Sequence, residues 1–468
     1  MLFNSYVFLF GFLPLVLLTF AWLTRDGGAA RGALLLLLVA SVIFYGWWNW
    51  RYVFLLSASI LFNYGWAHLL SRTVGRDRRA RHALLTLGVA FNLGLLGYYK
   101  YANFFVSTVN AVSGTGWQLP APILPLAISF FTFHQIAFLI DVGRGQLAVP
   151  SPLHYGLFVS FFPQLIAGPI VRGGEVLPQL ARARTFQLSR HNLTEGLFIF
   201  AIGLFKKVVL ADTLGPYADR VFEQDPTVGF GEGWGAALAF GVQLYFDFSG
   251  YCDMAIGLGR MFNITLPENF ESPYKADSII DFWRRWHITL SRFLRDYLYI
   301  PLGGNRHGEL RSGVAVMLTM VLGGLWHGAG WTFVAWGGLH GVYLLVNRLW
   351  QRLQMPLPRF LAWPLTFIAV IVALVIFRAA TFERATVMLS GMFGLDGFTT
   401  TETYTSLGWH QWKRILPCLA IVLFCPNRRE VMATQWRNDH AYAIAFAGLV
   451  GLSILRLAQP SPFIYFQF

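Results

Sequence analysis

Long apolar stretches recur along almost the whole chain, and they limit its fold more than any other feature. Runs of spanning length lie near residues 3–23, 32–49, 52–70, 83–105, 123–141, 153–171, 193–211, 233–258, 311–328, 331–349, 359–379, 413–425 and 439–457. A helix suits a bilayer because it satisfies its own backbone hydrogen bonds. Charged residues make up only 13% of the sequence, against about a quarter in soluble domains. We therefore expect an all-α polytopic integral membrane protein.

The sequence contains no linker that would separate domains. No Gly/Ser-rich tract, low-complexity tract or internal repeat is evident. We expect one membrane domain over 1–468, with N-terminal spans in 1–122, a motif-bearing core in 123–350 and C-terminal spans in 351–468. The first apolar run has no basic n-region and no small-residue cleavage site, so it is expected to be retained as a span.

The charges in the loops predict the orientation of the chain. The loop 71–82, SRTVGRDRRARH, carries five Arg and one Asp, which indicates a cytoplasmic loop and an external N-terminus. The run 153–171 contains FFPQLIAGP, whose prolines and glycine break a helix, and we expect it to be re-entrant. If 153–171 is re-entrant and does not cross the membrane, an acidic loop at 212–232 is external and the basic region 259–310 is cytoplasmic.

The net charge of +13 raises nucleic acid as a partner, but the distribution of charge argues against it. The basic residues flank apolar spans and form no separate basic domain, as the positive-inside rule predicts. The three cysteines, Cys252, Cys418 and Cys425, include no Cys-x-x-Cys pair. Neither a disulfide framework nor a metal site is therefore expected.

The stretch GGLWHGAGW, residues 323–331, places His327 between glycines inside apolar sequence. A polar group at membrane depth is either satisfied by packing or lines a cavity. The glycines leave room for substrate or for close backbone approach, and a neutral imidazole can serve as a general base. Trp326 and Trp331 are expected to line the channel beside it. His340, in GGLHG, is expected to be structural or channel-lining. The Gly-Ala-Gly segment between His327 and His340 is expected to interrupt the helix.

A second stretch, DFWRRWHITLSRFLRDYLYI at 281–300, predicts one amphipathic helix in the cytoplasmic interface. Its tryptophans and leucines share one face, while Arg284, Arg285 and Ser291 fall on the other and His287 lies at the border. Two interpretations stay open. The helix is a basic interfacial anchor, or it is a basic mouth in which Arg284, Arg285 and Ser291 bind an anionic donor.

The stretch 243–274 adds polar residues in or near a span. Asp247 either forms an ion pair that holds helices together or lines the channel. Asn269 falls in a polar turn and is expected to line the cytoplasmic entrance and to help bind the donor. Lys206 and Lys207, in GLFKKVVLAD, are expected to be packing or snorkelling residues.

Six motifs in order resemble the membrane-bound O-acyltransferase family, and in particular its bacterial branch that O-acetylates exopolysaccharides. They are NSYVFLFGFLPL, FYGWWNWRY, FFPQLIAGPIVR, YFDFSGYCDMAIGLG, FWRRWHITLSRFLRDYLYIPLGG and LWHGAGWTFVAWGGLHG. The resemblance implies that His327 is the active-site histidine and His287 the second, cytoplasmic-side histidine. It also implies a ring of transmembrane helices, with re-entrant and short helices, around a central channel.

The resemblance further implies a function in the bacterial inner membrane. An acetyl group from a cytoplasmic donor, acetyl-CoA or an acetyl carrier, passes to a periplasmic acetyltransferase or acceptor subunit that modifies a polymer such as cellulose or alginate. No bound cofactor or metal is implied. Three alternatives stay open: D-alanyl transfer to teichoic acid, a transporter with His327 as a proton relay, and a scaffold subunit of a secretion complex.

The basic-mouth hypothesis predicts the effect of reversing two charges. Changing both Arg284 and Arg285 to Glu should raise the donor concentration needed for half-saturation, because an anionic donor is then repelled. The measurement is donor saturation of the purified protein, with folding checked by size-exclusion chromatography. Unchanged saturation would show that the two arginines only anchor the chain.

Overall fold

The computed structural model describes residues 1–25, 30–120, 122–225, 227–306, 308–397, 402–434, 440–457 and 463–464. Most of these residues lie in helices, and the described part of the chain contains no β-strand. The predicted class, an all-α polytopic membrane protein, is confirmed.

The described residues form the following α-helices, in chain order. The first ten are α1 Leu13–Thr24, α2 Ala30–Gly46, α3 Arg51–Ser71, α4 Arg78–Leu96, α5 Ala102–Ser113, α6 Ile128–Gly143, α7 Pro152–Ser160, α8 Phe162–Leu165, α9 Gly173–Leu180 and α10 Arg190–Phe205. There follow α11 Asp212–Glu223, α12 Phe230–Met261, α13 Ile279–Arg285, α14 Ile288–Leu294, α15 Glu309–His327, α16 Trp331–Arg352, α17 Arg359–Arg378, α18 Phe382–Met392, α19 Glu402–Phe424, α20 Arg428–Thr434 and α21 His440–Arg456.

Five helical stretches in the described residues are long and apolar enough to cross a membrane. They are Val7–Thr24, Arg51–Ser71, Arg78–Ser113, Glu309–His327 and Arg359–Arg378. The predicted spans at 32–49 and 123–141 form the shorter apolar helices α2 and α6. The predicted run at 83–105 belongs to a longer helical stretch that includes a π-helical segment at Gly97–Tyr101.

Two sets of residues each fold into a compact unit. The first comprises Met1–Ala201 and Cys252–Pro267, and the second comprises Ile202–Tyr251 and Glu268–Phe468. Both catalytic candidates, His287 and His327, belong to the second unit. The expectation of one membrane domain over the whole chain stays a prediction.

Aromatic side chains fill the core of the first unit. The ring centroids of Phe8 and Phe44 lie 5.9 Å apart, and those of Phe12 and Phe162 lie 5.4 Å apart, both edge-to-face. All four side chains are buried. In the same unit the helix ends at Ser160 and restarts at Phe162, where Phe162 N–H donates to Ser41 Oγ at 3.0 Å. The broken helix expected within 153–171 is thus observed, while its re-entry into a membrane stays a prediction.

The acidic segment 212–232 was predicted as a loop, and this prediction is wrong over its first half. Asp212–Glu223 forms helix α11. Two of its last carbonyls are capped from a distance, because the guanidinium group of Arg384 donates to Phe222 O at 2.8 Å and to Val221 O. It also donates to Asp225 O, just beyond the helix, at 2.6 Å. The sequence did not predict this short helix, because Arg384, which caps its last carbonyls, lies far away in the chain.

Two glycines let α15 and α16 pack closely in the second unit. A Cβ atom at Gly324 would lie 3.0 Å from the Cα of Gly337 and would overlap Phe333 O. A Cβ atom at Gly337 would overlap Met320 O. The backbones therefore approach as closely as glycine alone permits, as in other membrane helix pairs built on small residues.

This contact predicts different effects at two adjacent glycines of α16. Gly337→Ala should destabilise the protein by about 1–3 kcal/mol, because the added methyl group has no space. Gly338→Ala is the matched control: its Cβ would meet only Val321 Cγ2 at 3.9 Å, and a stabilisation of up to about 1 kcal/mol is expected, because alanine favours a helix over glycine. Thermal denaturation in detergent measures both, and equal losses would contradict the assigned contact.

Candidate active site

The backbone breaks at His287, so the predicted single helix over 281–300 is wrong. Helix α13 ends at Arg285, Trp286 is extended, and His287 adopts φ 44° and ψ 53° before α14 begins at Ile288. This left-handed conformation is sparsely populated by residues other than glycine and costs about 1–3 kcal/mol. Something in the surroundings must stabilise it.

Asn269 supplies the compensating hydrogen bonds. Its backbone oxygen accepts from Ile288 N at 3.0 Å, and its Oδ1 accepts from Thr289 N at 3.1 Å and from Thr289 Oγ1 at 2.9 Å. The same Oδ1 lies 3.1 Å from His287 Nδ1. Asn269 therefore caps the N-terminus of α14 from eighteen residues upstream of its cap residue. Asn269 is only 1% exposed, and its expected place at the cytoplasmic entrance stays a prediction.

His287 is buried, although the amphipathic pattern placed it at the border of a helix surface. Its exposure is 0%, and its ring packs edge-to-face on Phe248 at 4.8 Å. Burial lowers the pKa of His287 to about 3, because the charged imidazolium would lose its hydration. The ring is therefore neutral at physiological pH and carries a lone pair.

His327 lies at the end of α15, where the expected interruption of the helix is confirmed. Gly328 and Gly330 are both extended, and α16 begins at Trp331. His327 is 4% exposed, and its ring centroid lies 6.2 Å from that of His287. The structure thus brings together the two histidines predicted to be catalytic.

Aromatic rings form the walls around the two imidazoles. Trp326 lies 5.1 Å from the His327 ring and 6.1 Å from the His287 ring. Trp336 and Phe377 lie 5.2 Å and 5.6 Å from His327. Such walls exclude water, which strengthens electrostatic interactions inside the site.

The remaining channel candidates lie at different distances from this pair. His340 is buried behind Trp336, at 4.9 Å between ring centroids, and its Nδ1 accepts from Trp283 Nε1 at 3.3 Å. That bond favours a structural role for His340. Trp331 is 52% exposed, whereas Trp326 is buried, and the channel-lining roles of both stay predictions.

The donor-binding candidates on α13 and α14 differ in their surroundings. Arg284 is exposed, whereas Arg285 Nε donates to Asp281 at 2.8 Å. Ser291 is half-buried and its N–H donates to His287 O at 3.0 Å. Of these three residues, Arg284 is the one whose side chain is presented to the surface, and their roles in binding a donor stay predictions.

Asp247 forms the ion pair that was one of its two sequence interpretations. Its carboxylate lies 2.5 Å from Lys207 Nζ, and both side chains are buried. Lys207 also contacts Asp212 at 2.8 Å, and Asp247 Oδ2 accepts from Ile464 N at 3.0 Å. Lys207 was expected only to pack or snorkel. The sequence feature that could have predicted an ion pair is the presence of two carboxylates, five and forty residues later in the chain.

The buried pair predicts a large effect at Lys207 and a small one at its neighbour. Lys207→Met should destabilise the protein by about 3–5 kcal/mol, because Asp247 would be left as a buried charge without its cation. Lys206→Met, at a half-buried position on the same turn, should cost less than about 1 kcal/mol. Thermal denaturation of the two variants in detergent decides, and equal stability would contradict the importance of the pair.

Comparison with known proteins places these residues in a described family. The profile of the membrane-bound O-acyltransferase family matches residues 123–392, which include both histidines. A peptidoglycan O-acetyltransferase of Helicobacter pylori is 45% identical over 426 residues, covering 85% of this chain and 80% of the relative. A probable alginate O-acetylase of Pseudomonas putida is 40% identical over 498 residues, covering 100% of both. A teichoic acid D-alanyltransferase of Streptococcus thermophilus is 29% identical over 244 residues, covering 48% of this chain and 57% of the relative.

Proposed function

Because the chain belongs to the membrane-bound O-acyltransferase family, we propose that it transfers acetyl groups for the O-acetylation of a bacterial exopolysaccharide, of the alginate or cellulose type. Family membership makes the chain a multi-pass membrane O-acyltransferase that uses an acyl donor. Its similarity to O-acetylating relatives supports acetyl as the group transferred.

The observation that carries the proposal is the pair of buried imidazoles, His287 and His327, with ring centroids 6.2 Å apart. A neutral imidazole takes the proton of an acceptor hydroxyl while the hydroxyl oxygen attacks the carbonyl carbon of an acetyl thioester. The new C–O bond forms as the C–S bond breaks, and the proton passes to the leaving thiolate. The products are an acetyl ester and a free thiol.

We assign the proton-accepting role to His327 because the resemblance to the family implies that it is the active-site histidine. Helix α15 starts at Glu309, next to the basic region predicted to be cytoplasmic. Its nineteen residues span about 28 Å, at about 1.5 Å per residue, so that His327, and with it His287 at 6.2 Å, is proposed to lie away from the cytoplasmic end of α15. This position suits transfer to an external partner, a periplasmic acetyltransferase or acceptor subunit.

The donor is proposed to approach from the cytoplasm. Acetyl-CoA and an acetylated carrier protein are both strongly anionic, and the exposed Arg284 on α13 lies in the basic region that precedes His287. The proposed location is the bacterial inner membrane, with the N-terminus on the periplasmic side. The cation near the surface would attract the donor, and the aromatic walls would keep water from the thioester.

A second acceptor is favoured by one of the comparisons. The similarity to a peptidoglycan O-acetyltransferase makes peptidoglycan the alternative polymer, with the same chemistry at His327. The similarity to a teichoic acid D-alanyltransferase covers less than half of this chain, so D-alanyl transfer has weaker support. Measuring acetyl groups on both polymers of the same cells separates the first two acceptors.

The proposal predicts that His327→Ala removes O-acetylation in cells. Loss of a general base lowers the rate by about 100-fold to 10,000-fold, so acetyl groups on the polymer should fall to background. The measurement is acetyl released from purified polymer, with the membrane level of the protein followed by immunoblot. His134→Ala is the control: His134 is a buried histidine of α6 in the first unit, and acetylation per molecule of protein should persist.

Acetylation that persists with His327→Ala at normal protein level would contradict the proposal. His327 would then be a packing residue, and a scaffold role or an active site centred on His287 would gain support.

A further inference from the structure

We infer that Asn269 is a positioning residue for acyl transfer: its side-chain oxygen holds His287 as the Nδ1–H tautomer and so leaves Nε2 as the proton acceptor of that ring. This inference rests on the proposed function and deepens it. Asn269 acts through His287 and is not itself required to touch donor or acceptor.

The Asn269 side-chain atom that faces His287 can be identified as the oxygen, because a backbone N–H group also contacts it. The backbone N–H of Thr289 can only donate, and it lies 3.1 Å from the Asn269 side-chain atom that also faces His287. That atom must therefore be Oδ1, since an NH₂ group would oppose the N–H. The hydroxyl group of Thr289 donates to the same oxygen at 2.9 Å.

The tautomer of His287 follows from the same oxygen. An amide oxygen accepts hydrogen bonds and has no proton to give, so His287 Nδ1, at 3.1 Å, must be the donor. In the neutral ring only one nitrogen carries a proton. Nε2 then holds the lone pair, on a different edge of the ring from Asn269.

The backbone of Asn269 reinforces this arrangement. Its carbonyl accepts from Ile288 N at 3.0 Å, while Oδ1 accepts from Thr289 N, so the first two N–H groups of α14 are both satisfied. These bonds hold the left-handed turn at His287 and with it the direction of the imidazole. One buried residue thus sets the backbone, the ring orientation and the protonation site of a catalytic candidate.

Side chains from two other helices pack on the His287 ring. Phe248 of α12 lies at 4.8 Å and Trp326 of α15 at 6.1 Å, and neither side chain titrates. The titratable group that faces the ring is His327 of α15, at 6.2 Å. Arg284 and Arg285 of α13 lie just before His287 in the chain. The side chain of Arg285 forms an ion pair with Asp281.

The direct test reads the tautomer without any enzymatic assay. The ¹⁵N spectrum of histidine-labelled full-length protein in lipid nanodiscs at pH 7 should show His287 with a protonated Nδ1 and an unprotonated Nε2. The His287 signals are assigned by their disappearance in His287→Gln. A ring protonated on Nε2, or a doubly protonated ring, would overturn the inference whatever the activity of the protein.

The kinetic test compares two variants that remove hydrogen bonds to the same atom. Asn269→Leu keeps the side-chain size but removes the acceptor, and kcat for acyl transfer should fall about 100-fold with a small change in donor KM, since a wrong tautomer costs rate rather than binding. Thr289→Val removes the hydroxyl bond and keeps the histidine bond, and kcat should fall less than about threefold. Equal losses in both variants would reduce Asn269 to a helix cap.

A charged replacement tests the same contact through pH. The carboxylate of Asn269→Asp accepts all three bonds but stabilises the imidazolium, so the acidic limb of the rate–pH profile should move up by about 1–3 pH units. The limb should not move in Thr289→Val. A superimposable profile for Asn269→Asp would contradict the inference, and the ¹⁵N spectrum decides if this variant does not fold.

The outcomes separate this inference from the proposed function. If His327→Ala keeps full acyl transfer while the ¹⁵N spectrum shows the Nδ1–H tautomer, the proposed chemistry fails and the positioning by Asn269 stands. If His327→Ala abolishes transfer and the spectrum shows the Nε2–H tautomer, the chemistry stands and the role of Asn269 is refuted.

Discussion

The candidate site depends on hydrogen bonds that satisfy a broken backbone in a buried place. At Trp286–His287 the helix stops, and the N–H groups of Ile288 and Thr289 lose the partners that a continuous helix would give them. Unsatisfied polar groups are costly in an apolar interior. Asn269 accepts from both residues and from the imidazole. Without this acceptor, a continuous helix would be the more stable conformation of the segment, because it would satisfy the N–H groups of Ile288 and Thr289.

The opposing half of the site rests on close packing rather than on hydrogen bonds. Gly324 and Gly337 bring α15 and α16 together, and Gly328 ends α15 directly after His327. The ring of His327 therefore projects from a helix end whose position is fixed, against Trp336 and other aromatic walls. Hydrogen bonds hold His287 in place and close helix packing holds His327 in place, and both rings are buried.

The sequence predicted what depends on local pattern and composition. The length of the apolar runs gave the all-helical membrane class, the glycines around His327 gave the helix interruption, and the ordered motifs gave the family. Periodicity failed over 281–300, because the break at His287 depends on Asn269, which lies in another segment. The Lys207–Asp247 pair was half predicted, since a buried carboxylate calls for a cation but the sequence does not say which one.

If His287 and His327 act as one catalytic unit, a double-mutant cycle of the two histidines will reveal it. Purified protein in lipid would be given a labelled acetyl donor, and thiol release would be followed in the two His→Ala variants and in the double variant. For one catalytic unit, each single variant should lose about 100-fold or more in rate, and the double variant should be no slower than the worse single one. Losses that multiply, or a single variant with wild-type rate, would contradict it.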